Sequence, residues 1–252
     1  MPLTLPTHPL AVVPLKLRWP RHFDGVALVA GSIAPDLAYV ADGYGGTIHG
    51  HAWHAPLWWA LPLTLVGARV IRWALPTVVA HLPSGGPLAL RDYGVLALVR
   101  HRWWVTALSA VLGAASHIVW DAFTHPAVDG GSREVVLFPL LHNEVVPDLP
   151  YWRLLVYVSD AVGLVAGVVV AVLIGRRRLL TRWHGPAPAP DPRPWRFWPP
   201  VVVVLVVGLA TLPLHPVRLR QDQAMRCLAV AAVALLAGSA AAGRGVRQPT
   251  HG

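Results

Sequence analysis

Apolar residues in this chain run in blocks rather than alternating with polar ones. Six blocks approach the roughly 20 residues needed to cross the hydrocarbon core of a bilayer. They lie near 24–41, 55–75, 104–123, 154–175, 199–214 and 224–243, separated by short stretches rich in Arg, Pro and Gly. The first is the weakest, because Pro35 and Asp36 interrupt it. The fifth, PPVVVVLVVGLATLPL, has the valine run of a buried strand, but in lipid only a helix or a closed barrel satisfies the backbone. The pattern predicts an all-α fold, a polytopic membrane helical bundle of about six transmembrane helices.

Composition agrees. Of the 252 residues 55% are hydrophobic and 13% charged, which departs from an ordinary soluble domain. The formal charge of +9 would suit a nucleic-acid partner if the arginines shared a face. They gather instead at the ends of apolar blocks, which is a topology signal, and no nucleic-acid partner is expected. Cys227 is the single cysteine and lies inside a block, so disulfides and Cys-based zinc sites are excluded. The opening MPLTLPTHPL has three prolines and no basic region ahead of an apolar run, so the mature protein is expected to keep it.

Arginine and lysine in short loops mark the cytoplasmic side. The strongest marker is RRRLLTRWHGPAPAPDPRPWRFW, beginning at Arg176. Counting back, residues 126–152, with Asp129, Glu134, Glu144 and Asp148 against Arg133, fall outside. Six crossings would give a multi-pass inner (plasma) membrane protein with both termini cytoplasmic; Arg218 and Arg220, in an outer turn, do not fit. The Pro-rich run 186–200 reads as a semi-rigid linker. The expected organisation is a membrane-embedded domain at 1–175, a basic, Pro-rich cytoplasmic linker at 176–200, and a two-helix hairpin with its tail at 201–252.

Chemistry enters with SHIVWDAFTH, where His117, Asp121 and His125 are spaced four apart. On a helix they share one stripe, so His117 and Asp121 can reach one ion. An ionisable group inside a membrane segment is costly and by default a functional candidate. Asp36, in AGSIAPDLAYV, is either a second such group or the cap of the turn after Pro35. In TIHGHAWHAPLWW, His49, His51 and His54 precede the second block. His51 and His54 are read as interfacial residues beside Trp53, Trp58 and Trp59. His8 would join the others if residues 8–18 formed a short re-entrant helix, about 15 Å long, with its N-terminus at mid-depth. On the expected topology Asp36, His49, His117, Asp121 and His125 all fall in the outer half of the membrane or at its outer surface.

PTHPLAVVPL, GSIAPDLAYV, TIHG and GAASHIVWDAFTHPAVDGG together resemble the signature blocks of the DUF4184 family of bacterial membrane proteins. The likeness covers roughly residues 1–165. More remotely the arrangement is similar to YdjM-like membrane-bound metal-dependent hydrolases, and the His117 to Asp121 step resembles the ligand pattern of zinc-dependent phospholipase C. Carried over by position, the resemblance implies metal ligands at His8, Asp36, His49, His117, Asp121 and His125. Two departures stand out: Gly50 follows His49 where the family has serine, and Asp160 replaces a small residue after Ser159. Asp160 is either a further ligand or a polar helix contact.

The reading favoured by these residues is a membrane-embedded, metal-dependent hydrolase acting on a phosphoester or lipid-linked substrate near the outer leaflet. Histidine and carboxylate ligands without cysteine suit a divalent transition metal, zinc first, with manganese or iron as alternatives. Six candidates exceed the three protein ligands of a mononuclear catalytic zinc, so one or two ions are expected. Asp36 as general base and Glu144 as a further participant are both open. The alternative is a non-enzymatic membrane protein, a metal or proton carrier or an accessory subunit; a carrier would need polar residues across the full depth.

Overall fold

The structure, a computed structural model, describes residues 4–44, 48–124, 139–188, 191–217 and 220–243. Among these the chain is helical apart from its connecting segments and one small antiparallel hairpin of β1 (Glu144–Val146) and β2 (Leu149–Pro150). Five helical stretches are long and apolar enough to cross a membrane: Pro56–Ala80, Trp103–Thr124, Tyr151–Arg176, Pro194–Leu214 and Asp222–Ala242. They fall on the last five of the six apolar blocks. The protein is a helical membrane bundle with five such helices among the described residues, not six.

The first block fails for a local reason. Its helix, Gly25–Ile33, has nine residues, about 14 Å of rise against a core of about 30 Å. Pro35 has no amide hydrogen to continue the ladder, and its ring crowds the carbonyl one turn back. The chain tightens into a 3-10 turn, Asp36–Val40, and Asp36 is left at the break.

The chain resolves into two compact units interleaved in sequence: Met1–Ala41, Gly46–Ala68 and His101–Val170 form one, and Asp42–Gly45, Arg69–Arg100 and Ala171–Gly252 the other. In the first unit, α1 (Thr4–Arg18), α2 (Gly25–Ile33) and α4 (Trp103–Thr124) pack together. The helix expected at 8–18 starts at Thr4, so His8 lies inside α1 rather than at its N-terminus. Pro9 and Pro14 each cost α1 a helical hydrogen bond, and packing against α2 and α4 holds it. Between α2 and α4 the backbones touch: a Cβ on Gly31 would sit 2.4 Å from the Ala110 carbonyl oxygen, and one on Gly113 2.3 Å from that of Leu28. Close approach of this kind lets main-chain groups of one helix meet side chains of the other.

Asp24 sets the register of that pair. Its Oδ1 caps α2 by accepting from the Val26 and Ala27 amides, and its Oδ2 accepts from Thr106 Oγ1 on α4 at 2.8 Å. Its own amide donates to Ser109 Oγ. Asp24→Ala should cost about 2–3 kcal/mol, a lost cap plus a lost charge-assisted bond, read as a fall in the thermal midpoint of detergent-purified protein.

In the second unit, α7 (Pro194–Thr211) and α8 (Arg220–Ala242) pack around Phe197, Val201, Ala234 and Ala242. His81, just past the end of α3 (Leu61–Ala80), donates from Nδ1 to the Thr77 carbonyl, accepts at Nε2 from the Arg193 amide, and stacks on Phe197. Within the stretch read as a linker, α6 (Leu179–His184) and the start of α7 are helical.

Candidate metal centre

Four side chains from three segments of the first unit converge. Asp36 comes from the 3-10 turn after α2, His51 from the loop before the helical stretch that begins at Pro56, and His117 and Asp121 from one face of α4. One ligand atom from each lies within 4.8 Å of all the others, and together they could hold a metal ion.

Each is placed by its neighbours. His117 is completely buried, and its Nδ1 donates to the Ser32 carbonyl at 2.7 Å. That bond fixes the ring and its tautomer, so Nε2 faces the group as a lone-pair donor, in the manner of metal-bound histidines whose second nitrogen is held by an outer partner. The contact is possible because Gly113 brings α4 against α2: a Cβ there would also lie 2.8 Å from the Ser32 nitrogen. His51 is placed by Gly50, where a Cβ would meet the Pro35 carbonyl oxygen at 2.5 Å and the Ala38 Cβ at 2.8 Å. Trp59 Nε1 donates to the Ala34 carbonyl and holds the following turn (Pro56–Ala60) to the same break in the chain.

The distances are consistent with one centre. His51 Nε2 lies 3.1 Å from Asp36 Oδ1, 3.2 Å from His117 Nε2 and 3.4 Å from Asp121 Oδ2. His117 Nε2 lies 3.4 Å from Asp36 Oδ1 and 3.3 Å from Asp121 Oδ2. Four donors bound tetrahedrally at about 2.0–2.1 Å from one zinc stand about 3.3 Å apart. Three acceptor atoms therefore face one His51 nitrogen, whose single proton can serve only one line at a time. A cation at the centre serves all four.

Asp36, in the 3-10 turn outside the five candidate spans, shows the same balance. Burial favours its neutral acid, but positive charge on the imidazoles of His117 and His51, when they are protonated, outweighs burial and holds the carboxyl well below the usual carboxylate range; a metal ion would take that part once the imidazoles face it as lone-pair donors. The group is not sealed: the side chains of His51, Asp36 and Asp121 keep 10–11% of their surface exposed, whereas His117 keeps none.

His8 stands behind the four. It is buried, stacks on the His117 ring with centroids 3.7 Å apart, and has its Nε2 3.5 Å from Asp121 Oδ1. Asp121 thus turns Oδ2 to the group and Oδ1 to His8.

Of the six residues expected from the sequence, Asp36, His117 and Asp121 come together, with His8 beside them. His49 does not join: it is exposed, and His51, read from sequence as an interfacial residue, takes that place. His49 and His51 are two apart in an irregular segment, where no helical period tells which side chain turns inward. Gly50 was the available signal, since only a residue without a Cβ lets the chain press against Pro35. His125 lies outside the described residues. Asp160 is not in the group, and Glu144 lies exposed on β1.

Residues 1–243 match the family model described as a domain of unknown function, DUF4184. The chain belongs to this family. The DUF4184 match runs beyond the residues that carry the sequence motifs and takes in the C-terminal helices. No curated protein and no solved structure matches the chain, so no finding connects this DUF4184 protein to YdjM-like hydrolases or phospholipase C.

Proposed function

We propose that this DUF4184 protein is a membrane-embedded metal-dependent hydrolase that acts on a phosphoester or lipid-linked phosphate near the outer leaflet. The observation that carries the reading is the convergence of two imidazoles and two carboxylates on one point, with the side chains of His51, Asp36 and Asp121 partly exposed. Zinc is the favoured ion, because imidazole and carboxylate donors suit it and five of their six separations are 3.1–3.4 Å; the donor types alone also admit manganese or iron. A bound divalent ion would supply Lewis acidity and lower the pKa of a water toward about 7.

The protein's own residues divide the remaining tasks. Asp36, His51, His117 and Asp121 hold the ion, and the Ser32 carbonyl orients His117. A closed structural zinc site uses all its donors and excludes solvent, whereas a catalytic site leaves a position open. Four protein donors match the count of a closed site, so the catalytic reading rests on water reaching the ion as a further ligand at the partly exposed edge formed by His51, Asp36 and Asp121. His8, against the second oxygen of Asp121, can hold or pass a proton at Nε2. A headgroup phosphate would meet such a site without leaving the interface, which is why a lipid or lipid-linked substrate is preferred to a soluble one.

The test is a turnover screen of protein in lipid nanodiscs, loaded with zinc or manganese, against phosphoesters, phospholipids and polyprenyl phosphates. The expected result is metal-dependent phosphate or headgroup release, reduced about 100-fold or more in His8→Ala, with the metal content of that variant retained. A protein that keeps stoichiometric metal and turns over none of these would make the centre structural and end the enzymatic reading.

A further inference from the structure

The second unit contains a separate arrangement of charge where α5 (Tyr151–Arg176) ends and α6 begins. Gly175 lets the chain at 87–88 lie directly on the last turn of α5: a Cβ there would sit 2.2 Å from the Pro87 carbonyl oxygen. This brings Asp92, on the 3-10 segment Leu90–Ala97, to Arg178, the residue before α6. The pair is bidentate, with Arg178 Nε and Nη2 donating to the two Asp92 oxygens at 2.5 and 2.6 Å.

Both segments start from an uncommon backbone conformation. Ala89 (φ 45°) precedes the Asp92 segment, and Arg178 itself has φ 49°; Asp148 is the other non-glycine residue with positive φ among the described residues. Left-handed residues with a Cβ persist where surrounding structure imposes them, and they gather at functional sites. Arg178 lines a cleft of about 450 Å³ together with Val79, Ala80, Arg91, Thr181 and Ala187 among others.

A guanidinium has five N–H donors in a rigid fork. Asp92, which is buried, occupies one edge and pins the plane, and the Arg178 side chain remains 60% exposed, with its Nη1 edge free of that pair. Arg91 is exposed on the same cleft, and Arg177 and Arg182 are exposed on either side of Arg178 in sequence. The one acid in the lining is already engaged by Arg178, and the walls are otherwise mainly apolar. A small hydrated anion would leave those walls in water, whereas a molecule with a phosphate and a hydrocarbon part fits both. The cleft also lies at the basic end of a candidate span, where headgroups sit.

We propose that this cleft binds the phosphate of an anionic phospholipid headgroup, with Arg178 and Arg91 as its donors and Asp92 as the residue that orients Arg178. The test is titration of the full-length protein in detergent with phosphatidylglycerol or phosphatidylcholine, with bound lipid counted by native mass spectrometry. Wild type should retain phosphatidylglycerol preferentially. R91Q should weaken that affinity about fivefold, the effect of one cation near the lipid phosphate, while R102Q, an exposed arginine outside the cleft, should leave it unchanged. D92N separates geometry from charge: it makes the cleft more positive but frees Arg178 to turn away, so binding should weaken. Tighter binding in D92N, an equal loss in R102Q, or equal retention of the two lipids would overturn the proposal. Inorganic phosphate that displaces the lipid as effectively as added phosphatidylglycerol would reassign the cleft to a free anion and overturn it too.

Discussion

His51→Ala should strip the protein of its metal, and His49→Ala, two residues away, should leave the metal in place. The contrast is sharp because composition and approximate position are the same for both residues, and only the direction of the side chain differs. His51 Nε2 is within 3.4 Å of the other three donor atoms, while His49 is exposed. Altering a residue that only orients a ligand costs about 10–100-fold in metal affinity, and deleting a ligand should cost at least the upper end of that range. Elemental analysis of protein purified without chelator measures it directly: near one ion per chain in wild type and His49→Ala, near none in His51→Ala and His117→Ala. Stability supplies an independent readout. An ion present at a hundred times its dissociation constant stabilises the folded state by about 2.7 kcal/mol, so a chelator should lower the melting temperature of wild type and leave His51→Ala unmoved. Metal-free wild type, or equal loss from both histidine variants, would refute the centre as described.

The second large effect is expected at a residue that touches no ligand directly. Gly113→Val puts a branched side chain where even a Cβ would be 2.3 Å from one main-chain oxygen of α2 and 2.8 Å from the Ser32 nitrogen. Backbone cannot yield as a flexible side chain can, so α2 and α4 must part, at a cost at or above the usual 1–3 kcal/mol of overpacking. The chemical consequence is specific. The Ser32 carbonyl moves away from His117 Nδ1, the ring loses its fixed tautomer, and metal affinity should fall about 10–100-fold although all four ligands remain. Gly67→Val is the control, because a Cβ at Gly67 meets nothing within 4 Å. Retained helical circular dichroism with lost metal in Gly113→Val, and neither change in Gly67→Val, is the expected pattern. Full metal occupancy in Gly113→Val would mean that the carbonyl contact does not position His117.

How far the centre could be read from sequence depended on how regular the backbone is around each residue. His117 and Asp121 lie one turn apart on a long helix, so their spacing alone placed them on one face. Asp36 was marked by its cost, a carboxylate within an apolar block, and Pro35 beside it marked the break that reduces that block to a nine-residue helix. The other five apolar blocks became helices because length and hydrophobicity are summed over many residues and tolerate local error. His51 is not singled out by the sequence, because an irregular loop has no period to project. The pair of Asp92 and Arg178 was not legible at all: 86 residues separate them, and their meeting depends on a glycine that lets two main chains touch. The two interleaved units were likewise hidden, since α3 and α5 each contribute residues to both.

The uneven depth of the four ligands has a kinetic consequence. His117 is anchored at the back by a main-chain carbonyl, and only the side chains of His51, Asp36 and Asp121 keep exposed surface. An ion would therefore arrive and depart across that edge, so the segments that carry His51, Asp36 and Asp121 govern loading and exchange rates, while the rear wall governs how tightly a loaded ion is held. A change in those segments that spares the ligands would slow incorporation during biogenesis without altering the equilibrium occupancy of the finished protein.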